Sequence, residues 1–458
     1  MASVLSRRWG RPSQPTLAVL PLLSIVFGES VATLTVYPFI VELILSFDVP
    51  EQKVGYYLGV LESVSNITSA IVVLQWGRMG DRYGRKPVLL LNTCGLAIAI
   101  LSFGLSRTFA VLVFSKVLEG LCKASKPTIK SAVAESSDEQ RMAFVFSLLP
   151  LMHAGGLIVG PFIGGTFADP ARRFPRYFGA SIWREYPYLL PTSISSMVML
   201  CSFFLTLALF KETLPPFRDS PKLSAHTADA SSPLLGHAED QNPIPIAPPE
   251  AFTPTQKRAF SIVLANYALY TVLAMSYNPV LVLFLSSPVA AGGLALPPRT
   301  VGSVLSLAGA LHAMMQACFF TRAHARWGPK RIFGVAAACF VPIFGAVPVM
   351  GALARRAGRV TALVWAVLAV QQAACAMVGP GFTCMYIFIA RSAPLPTMLG
   401  RTNGLAQMVH SAFSAIGPAV FTSLTAVSIQ HNLLGGSLAQ LVQALLGFLA
   451  FGLAFLLP

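Results

Sequence analysis

Charged side chains recur at intervals of three and four residues inside one apolar stretch: Lys116, Glu119, Lys123, Lys126 and Lys130. At about 100° per residue, this spacing places them on one face of a helix. Glu119 can form ion pairs with Lys123 one turn later and with Lys116 one turn earlier. The lysines outnumber the carboxylate, so the stripe keeps surplus positive charge, which a second acidic helix or an anionic substrate would balance.

Such a stripe cannot face hydrocarbon, so it is predicted to line a cavity between helices. Binding of protons or of a charged solute is the chemistry that these groups offer there. The alternative is a structural stripe that is neutralised internally, with Lys126 and Lys130 extending to the aqueous boundary along their flexible side chains. The sequence leaves both interpretations open.

Two carboxylates on other apolar stretches are candidates for the second acidic group. Glu29 lies at the middle of the first stretch and shares a helical face with Tyr37, and Glu62 shares one with Asn66. A carboxylate in a low-dielectric site can exchange protons near neutral pH, which proton coupling requires. Either acid could instead be a hydrogen-bonded structural group.

His153 is a further candidate for the cavity, because it shares a helical face with Gly156 and Gly160. A lone histidine is more often a packing residue, and no two histidines have the i, i+4 spacing of a metal site. The seven cysteines lie in apolar stretches without C-x-x-C pairing, so we expect small buried side chains rather than disulfides or metal ligands. No metal site is predicted.

The composition excludes a soluble globule. Of the 458 residues, 55% are hydrophobic and only 11% are charged, with a mean hydropathy of +0.66. That leaves too little polar surface for a water-soluble domain, so the chain is an integral membrane protein with several spans. The net charge of +15 falls largely in short loops and at helix ends. It is the charge that sets membrane orientation, and nucleic-acid binding is not expected.

Twelve stretches are long enough to cross about 30 Å of hydrocarbon. They are predicted at residues 16–44, 54–76, 88–106, 108–129, 143–166, 188–210, 259–285, 300–321, 332–353, 360–390, 402–427 and 434–457. The predicted domains are a cytoplasmic tail (1–15), a six-helix half (16–210), a disordered cytoplasmic linker (211–258) and a second six-helix half (259–458). The linker assignment rests on its Pro, Ser, Ala, Asp and His content without an apolar stripe.

The two sixes carry traces of an internal repeat. Val54-Gly55-Tyr56-Tyr57-Leu58 opens the second stretch, and Val301-Gly302-Ser303-Val304-Leu305 opens the eighth. Arg82-Tyr83-Gly84-Arg85-Lys86 likewise recurs as Arg326-Trp327-Gly328-Pro329-Lys330. The sequence therefore predicts an all-α membrane fold with 12 transmembrane helices in two pseudo-symmetric halves.

A short basic loop follows the second stretch. Its characteristic residues are Gly77, Gly80, Asp81, Arg82, Gly84, Arg85 and Lys86. The cationic side chains place the loop in water, which the positive-inside bias identifies as the cytosol, and the glycines allow a tight turn. The pattern closely resembles the loop between helices 2 and 3 of the major facilitator superfamily. The resemblance implies that this loop gates the cytoplasmic face, with Asp81 meeting a helix N-terminus and a nearby Arg.

A second motif on the fifth stretch resembles the G-x-x-x-G-P-x-x-G-G pattern of the drug:proton antiporter branch. Its residues are Gly156, Gly160, Pro161, Gly164 and Gly165. Small residues at this spacing let helices approach closely, and a generic packing helix is the alternative explanation.

Further strings, including Tyr37-Pro38-Phe39-Ile40-Val41-Glu42, resemble the zinc-induced facilitator-like transporters of plants and their fungal relatives. Glu29 also matches a Glu of the fungal relatives, so we rank it first among the acids. Lys116 stands where the family usually has Arg, and a lysine can lose its proton more readily.

The second half carries aromatic and amide side chains where the first carries charge. Tyr270 and Tyr277 follow one side of the seventh stretch, and Gln372 and Tyr386 follow one side of the tenth. A charged wall facing an aromatic-amide wall suits an amphipathic organic solute better than a bare ion. Polar residues that pack helices together would give a similar pattern.

The resemblance implies a secondary transporter that works by alternating access and exchanges a proton for a small organic solute, such as a drug-like compound or secondary metabolite. The proton gradient would be its energy source, and no cofactor is predicted. Symport or uptake, transport of a metal chelate, and a non-transporting membrane sensor are the alternatives. No nucleophile or metal constellation points to an enzyme. The expected partners are a small-molecule substrate and the lipid bilayer of a plasma or vacuolar membrane, with the protein as a monomer.

Overall fold

The computed structural model describes residues 14–123, 128–129, 132–133, 139–212, 254–392 and 399–457. These residues form helices and connecting turns, with no strand among them. The long helices are α1 (Gln14–Thr35), α2 (Val54–Tyr83), α3 (Arg85–Gly104), α4 (Phe109–Cys122), α5 (Glu139–Phe167), α6 (Leu189–Leu209), α7 (Pro254–Ser286), α8 (Pro298–Met314), α9 (Phe340–Ala357), α10 (Ala362–Cys375 and Val378–Arg391), α11 (Leu399–Gln430) and α12 (Leu438–Ala454). Short helices are Ile40–Leu45, Glu51–Lys53, Pro170–Arg173, Ser181–Glu185, Val289–Ala291 and Met315–Phe319, and the 19-residue helix Phe320–Ala338 lies between α8 and α9.

Within the described ranges, nine helices are long and apolar enough to cross a membrane, and α1 and α12 contain shorter apolar segments. The described part of α4 has only 14 residues, which is too few to cross about 30 Å of hydrocarbon at 1.5 Å per residue. The structure thus places a helix at each of the predicted stretches. Residues 213–253 of the predicted linker lie outside the described part. The end of the predicted linker is helical rather than disordered, because α7 already begins at Pro254, before the predicted start of that span at residue 259.

Several predicted spans are interrupted rather than continuous. A turn at Val36–Phe39 separates α1 from Ile40–Leu45, as expected at Pro38, which lacks a backbone N–H. A π-helical segment, Met315–Phe319, follows α8. The next helix, Phe320–Ala338, bends at Gly328, so that its first part extends α8 and its second part leads into α9.

Two junctions define the ends of the bundle. Gly84 (φ 106°) joins α2 to α3, and Gly328 (φ 73°) lies at the corresponding point of the second half. We call the end that carries these glycines the signature end, which the prediction places in the cytosol, and the opposite end the far end. The signature motif is therefore not the expected loop. Its residues up to Arg82 lie in the last turns of α2, Arg85 and Lys86 begin α3, and Gly84 between the two helices has the positive φ that glycine adopts without strain.

Each half has its own packing, and two helix pairs join the halves. In the first half α2 and α3 both pack on α4, and α1 packs on α5 and α6. In the second half α7 packs on α11, and α9 packs on α12. Between the halves, α5 packs on α8 and α2 packs on α11. These two pairs make the most extensive described contacts between the halves.

The cysteines are free thiols, as predicted, but their burial differs from the prediction. Cys122 and Cys384 are buried, whereas Cys201 and Cys318 are exposed on the outside of the bundle. In a membrane protein that outer surface is apolar, so a small hydrophobic side chain is equally suited to it.

Candidate functional site

The charged stripe of α4 forms a compact set of ion pairs. Lys116 Nζ lies 2.9 Å from Glu119 Oε2, and Lys123 Nζ lies 3.4 Å from Glu119 Oε1. Both are pairs that the i, i+3 and i, i+4 spacing predicts. Lys126 and Lys130 lie outside the described residues. The helix begins with a Thr108 cap, whose Oγ1 accepts a hydrogen bond from the Val111 amide.

A second helix supplies the missing acid. Glu62 of α2 places Oε1 3.7 Å from Lys116 Nζ. This approach is possible because Gly120 of α4 lies directly on the α2 backbone, where an added methyl group would meet Thr68 at 2.8 Å. We call Glu62, Lys116, Glu119 and Lys123 the charged cluster. It contains two acids and two bases, so among these four described groups Glu62 of α2 balances the second lysine of α4.

The charged cluster is almost fully enclosed. The Lys116 side chain is 2% exposed and its ammonium lies 5.5 Å from the centre of the Phe103 ring, a cation–π distance. Lys123 is 24% exposed and is the most accessible member. Burial of this kind is tolerated because each charge has an opposite partner, and removal of one partner leaves the other uncompensated.

A third helix contacts the cluster through Tyr37. This residue lies in the Val36–Phe39 turn, and its hydroxyl donates a hydrogen bond of 3.1 Å to Glu62 Oε2. Interrupted helices at ionisable groups are typical of transporter binding sites. The prediction placed Tyr37 on the face of Glu29, whereas the structure joins it to Glu62.

The other predicted candidates of the first half lie on α1 and α5. Glu29 is buried on α1, and the ion pairs of Lys116 and Lys123 in the described part of the chain do not include it. His153 of α5 is exposed, and its Nδ1 lies 2.7 Å from the Ser30 hydroxyl of α1. His153 therefore joins two helices of its own half and is separate from the described contacts of the charged cluster.

The glycine motif of α5 packs against two different neighbours. A methyl group added to Gly156 or Gly160 would press on Ser30, Val31 or Leu34 of α1, and one added to Gly164 would overlap the Thr35 carbonyl and meet Pro38 at 3.2 Å. Gly165 instead faces α8, where an added methyl group would lie 2.9 Å from the Gly302 Cα. Three glycines thus hold α1, and the fourth contacts the other half.

An equivalent close contact joins α2 to α11. Gly59 lies against Ala419 and Thr422 of α11, and Gly55 lies against Thr422 and Ala426. We call the α5–α8 contact at Gly165 and the α2–α11 contact at Gly55 and Gly59 the far seam, because both lie toward the far end. The prediction missed the role of Gly55 and Gly59, although their i, i+4 spacing is the signal of a close helix contact.

Next to the far seam, two hydrogen bonds still join α2 to α11. Ser63 Oγ donates to the Ala415 carbonyl at 3.0 Å, and the Asn66 side-chain amide donates to the Ser414 carbonyl at 3.3 Å. Beside these bonds a cavity of about 430 Å³ lies between the two helices and extends toward the signature end, with a mostly apolar lining that includes Ile67, Ala70, Ile71, Ser411, Ala412 and Ile416. The halves are therefore in contact at the far end and diverge toward the signature end along this pair.

The second half presents an aromatic cluster formed by α7, α10 and α11. The His410 ring stacks on Tyr267 with 5.6 Å between ring centres and meets the edge of Phe382 at 6.0 Å. Tyr386 is exposed beside Tyr267, with 6.3 Å between the rings. Deeper in the half, the Tyr277 hydroxyl donates to Gln372 Oε1. This wall offers π faces and amides rather than charge.

At the signature end, Glu212 holds the start of α3. Its two carboxylate oxygens accept hydrogen bonds from the backbone amides of Arg85 (2.8 Å) and Lys86 (3.0 Å), and Lys86 Nζ donates to the Leu207 carbonyl of α6. An acid at a helix N-terminus satisfies unpaired amides and the helix dipole. The prediction missed Glu212. The Asp81 side chain lies outside the described residues, so its predicted contacts stay a prediction.

The remaining signature residues occupy the end of α2. Gly80 approaches the Arg85 guanidinium, where an added methyl group would lie 2.8 Å from it, so the small residue leaves room for a buried arginine. Gly77 faces open space and Arg82 lies over the Tyr83 ring. Among the described residues, no group of three or more His, Cys, Asp or Glu side chains could hold a metal ion.

Comparison with known proteins extends these observations. A profile for the Major Facilitator Superfamily matches residues 22–418. The chain is 27% identical to the protein named Efflux pump azaK of Aspergillus niger, over 94% of this chain and 85% of that protein. It is also 27% identical to the protein named ZINC INDUCED FACILITATOR 1 of Arabidopsis thaliana, over 89% of this chain and 84% of that protein.

The fold is also found among solved structures. A bacterial homologue of the human lysosomal transporter Spinster, in an inward-facing and occupied conformation, superposes with a TM-score of 0.68 at 12% identity, over 98% of this chain and 97% of that one. At this identity the likeness concerns the fold alone. The family match covers most of the chain, and family members are transporters rather than enzymes. The chain belongs to the major facilitator superfamily of membrane transporters.

Proposed function

We propose that this transporter is a proton-coupled antiporter that exports a small amphipathic organic solute, and that Glu62 is the group that exchanges the proton. The observation that carries the proposal is the buried, charge-balanced cluster, in which one lysine lies between two carboxylates. The name of the Aspergillus niger relative, an efflux pump, favours export as the direction.

The two carboxylates around Lys116 are held unequally. Glu119 Oε2 lies 2.9 Å from the ammonium and Glu119 also pairs with Lys123, whereas Glu62 Oε1 lies 3.7 Å away. Protonation of Glu62 therefore breaks the weaker ion pair. It leaves one uncompensated positive charge in the cluster, and a buried net charge is costly in a low-dielectric site. A protonated cluster would thus favour a conformation in which water or a solute group reaches it.

The class of solute is inferred from the aromatic cluster of the second half. The exposed Tyr386 ring and the neighbouring Phe382 and His410 rings offer stacking surfaces to a flat apolar group. The polar end of the same solute would lie toward the first half. An amphipathic solute of this kind contacts both halves, which is what alternating access requires of a substrate.

The test is transport in sealed proteoliposomes with an imposed pH gradient and a panel of fluorescent aromatic amphiphiles. We expect the parent protein to accumulate at least one of them against its gradient. Glu62→Gln should abolish this accumulation while keeping solute exchange without a pH gradient. Glu29→Gln is the matched variant, because it changes a buried carboxylate of the same half, and it should reduce accumulation less.

Two results would contradict the proposal. Accumulation that Glu62→Gln leaves unchanged would remove that residue from proton exchange, and a loss confined to Glu29→Gln would assign the role to the acid that the sequence ranks first. If a protonophore has no effect on uphill transport of a verified substrate, proton antiport itself is wrong.

A further inference from the structure

The turn that interrupts the first membrane span lies beside the charged cluster. Helix α1 ends at Thr35, the next helix begins at Ile40, and the residues between them form a turn around Pro38. Tyr37 in this turn is buried, and its hydroxyl donates to Glu62 Oε2 at 3.1 Å. A carboxylate on α2 therefore holds a turn that interrupts the regular helical hydrogen bonds of the first span and contains one backbone bond, from the Phe39 amide to the Val36 carbonyl.

The same turn is held by helices of the far end. The Phe39 ring stacks on Tyr188 just before α6, with 4.7 Å between ring centres and 10° between planes. The Thr35 hydroxyl lies 2.7 Å from the Ser195 hydroxyl of α6. Gly164 of α5 packs directly on the Thr35 carbonyl, with no room for a side chain. A displacement of the turn would therefore change its contacts with α5 and α6.

Helix α5 carries this contact to the other half of the protein. Gly164 faces the turn of α1, and the next residue, Gly165, faces Gly302 of α8 in the far seam. In both contacts backbone packs on backbone, so no flexible side chain lies between the helices that could adjust to a shift of one of them. The path from Glu62 through Tyr37, the turn and Gly164 to the far seam is thus an unbroken series of contacts.

We propose that Tyr37 is a positioning residue that links the charge state of Glu62 to the far seam, an inference that rests on the proposed role of Glu62 in proton exchange. With Glu62 ionised, the hydroxyl makes a charge-assisted hydrogen bond, which is about twice as strong as a neutral one. The turn is then held against α2 and the far seam is closed. Protonation weakens the bond, releases the turn and lets α5 move away from α8.

The other groups around Glu62 define what each variant must keep. Lys116 and Glu119 approach from α4, and Tyr37 approaches from α1. From α11, on the other side of α2, the nearby described partners are the carbonyls of Ser414 and Ala415. The titratable group of that stretch of α11 is His410, which stacks on Tyr267. The α4 charges therefore stay unchanged in the test.

The experiment measures the far seam directly, on the full-length protein in nanodiscs and without substrate. Spin labels are placed at Tyr177 in the first half and His431 in the second, which are both exposed at the far end, after replacement of the exposed Cys201 and Cys318 by serine. The distance distribution is recorded between pH 5 and pH 8. In the parent we expect the longer distance to gain population at low pH.

Three variants separate the possibilities. Glu62→Gln should show the longer distance at every pH, and Tyr37→Phe should lose the pH response, with populations at pH 5 and pH 8 within about twofold. In the double variant, Tyr37→Phe should add nothing to Glu62→Gln. The control is Tyr57→Phe, which makes the same chemical change on α2 in a ring packed on Phe109 and should behave like the parent.

A fluorinated tyrosine at position 37 tests the same bond without removing it. It keeps the ring and donates more strongly to the ionised carboxylate, so the pH midpoint of the distance change should fall. The fluorotyrosine protein also tests the role of Tyr37 if Tyr37→Phe does not fold.

A normal pH response in Tyr37→Phe, or a fluorotyrosine midpoint equal to that of the parent, would overturn the role of Tyr37 while leaving the role of Glu62 intact. A normal pH response in Glu62→Gln would instead refute the proton site on which the inference rests.

Discussion

The two halves of the protein share the same close helix contacts but differ in the side chains that they bury. Gly55 in the first half and Gly302 in the second are equivalent in the internal repeat, and each lies in the far seam against the opposite half. In the same alignment, Glu62 of the first half is equivalent to Gly309 of the second half. Glu62 enters the charged cluster, whereas Gly309 packs on the backbone of Leu157. The repeat thus preserves the contact between halves and confines the buried charges of the described residues to one of them.

The signature end shows the same division. Gly84 and Gly328 both adopt positive φ where two helices meet. Lys86 donates to the carbonyl of Leu207 at the end of α6, and Lys330 donates to that of Leu457 after α12. Pro329 stands where the first half has Arg85, so one of the two amides that Glu212 caps has no equivalent there. The two halves therefore share the glycine junction and the lysine contact, whereas the carboxylate cap is described in the first half.

The largest expected effect is the loss of Lys116. Lys116→Ala leaves Glu62 and Glu119 as neighbouring buried acids with one remaining lysine, and breaking a buried pair costs about 3–5 kcal/mol. We expect uphill transport to be abolished and the free energy of unfolding to fall by that amount, measured by chemical denaturation in detergent.

The matched change in the second half is Tyr277→Phe, which removes a neutral hydrogen bond to Gln372 and should cost about 1 kcal/mol. Equal losses in the two variants would break the comparison between a charged and a neutral half.

An intermediate effect is expected at the far seam. Gly165→Ala places a methyl group 2.8 Å from the Pro298 carbonyl, and Gly55→Ala overlaps the Thr422 carbonyl. Overpacking of this kind costs about 1–3 kcal/mol, here against the conformation closed at the far end. Both variants should therefore raise the solvent accessibility of cysteines introduced below the seam, by similar amounts.

Gly334→Ala is the control, because an added methyl group meets no atom within 4 Å. A response from only one of the two seam glycines would show that the halves do not close symmetrically.

The smallest expected effect is at the cap of α3. Glu212→Ala removes the acceptor for two backbone amides, and the loss of an N-terminal cap costs about 1 kcal/mol. The midpoint of thermal unfolding should fall by a few degrees at most. Lys330→Met, which removes a lysine contact from the half without this cap, should have a smaller effect still. The reverse order would contradict the assignment of the cap to the first half alone.

Local spacing was enough to predict part of the site. The ion pairs of Lys116, Glu119 and Lys123 follow from helix geometry, and the twelve-helix fold follows from hydropathy and the repeat. Glu62 was one of two acids that the sequence offered as partners of this stripe. That Lys116 pairs with Glu62 could not be predicted, because it depends on the packing of α2 against α4 at Gly120.

For other features the sequence contains a signal but does not show which contact the residue makes. Pro38 marks the break in α1, but nothing in the string places Tyr37 next to Glu62 rather than Glu29. Glu212 is an acid after a helix end, and its partners lie more than 120 residues earlier in the chain. The signature glycines suggested a loop, yet Gly77 and Gly80 continue α2. The first two misses are tertiary contacts, which local patterns do not contain, and the third is a helix that continues through glycines typical of a turn.

The neighbouring glycines of α5 also set limits on redesign. Because Gly164 and Gly165 leave no space on either side of the helix, the far turn of α5 cannot accept new side chains without shifting two interfaces at once. Tyr386 of α10 has an exposed side chain and is not enclosed in this way. Attempts to alter the range of transported compounds should therefore start from α10, and libraries that vary α5 should leave its last turns intact.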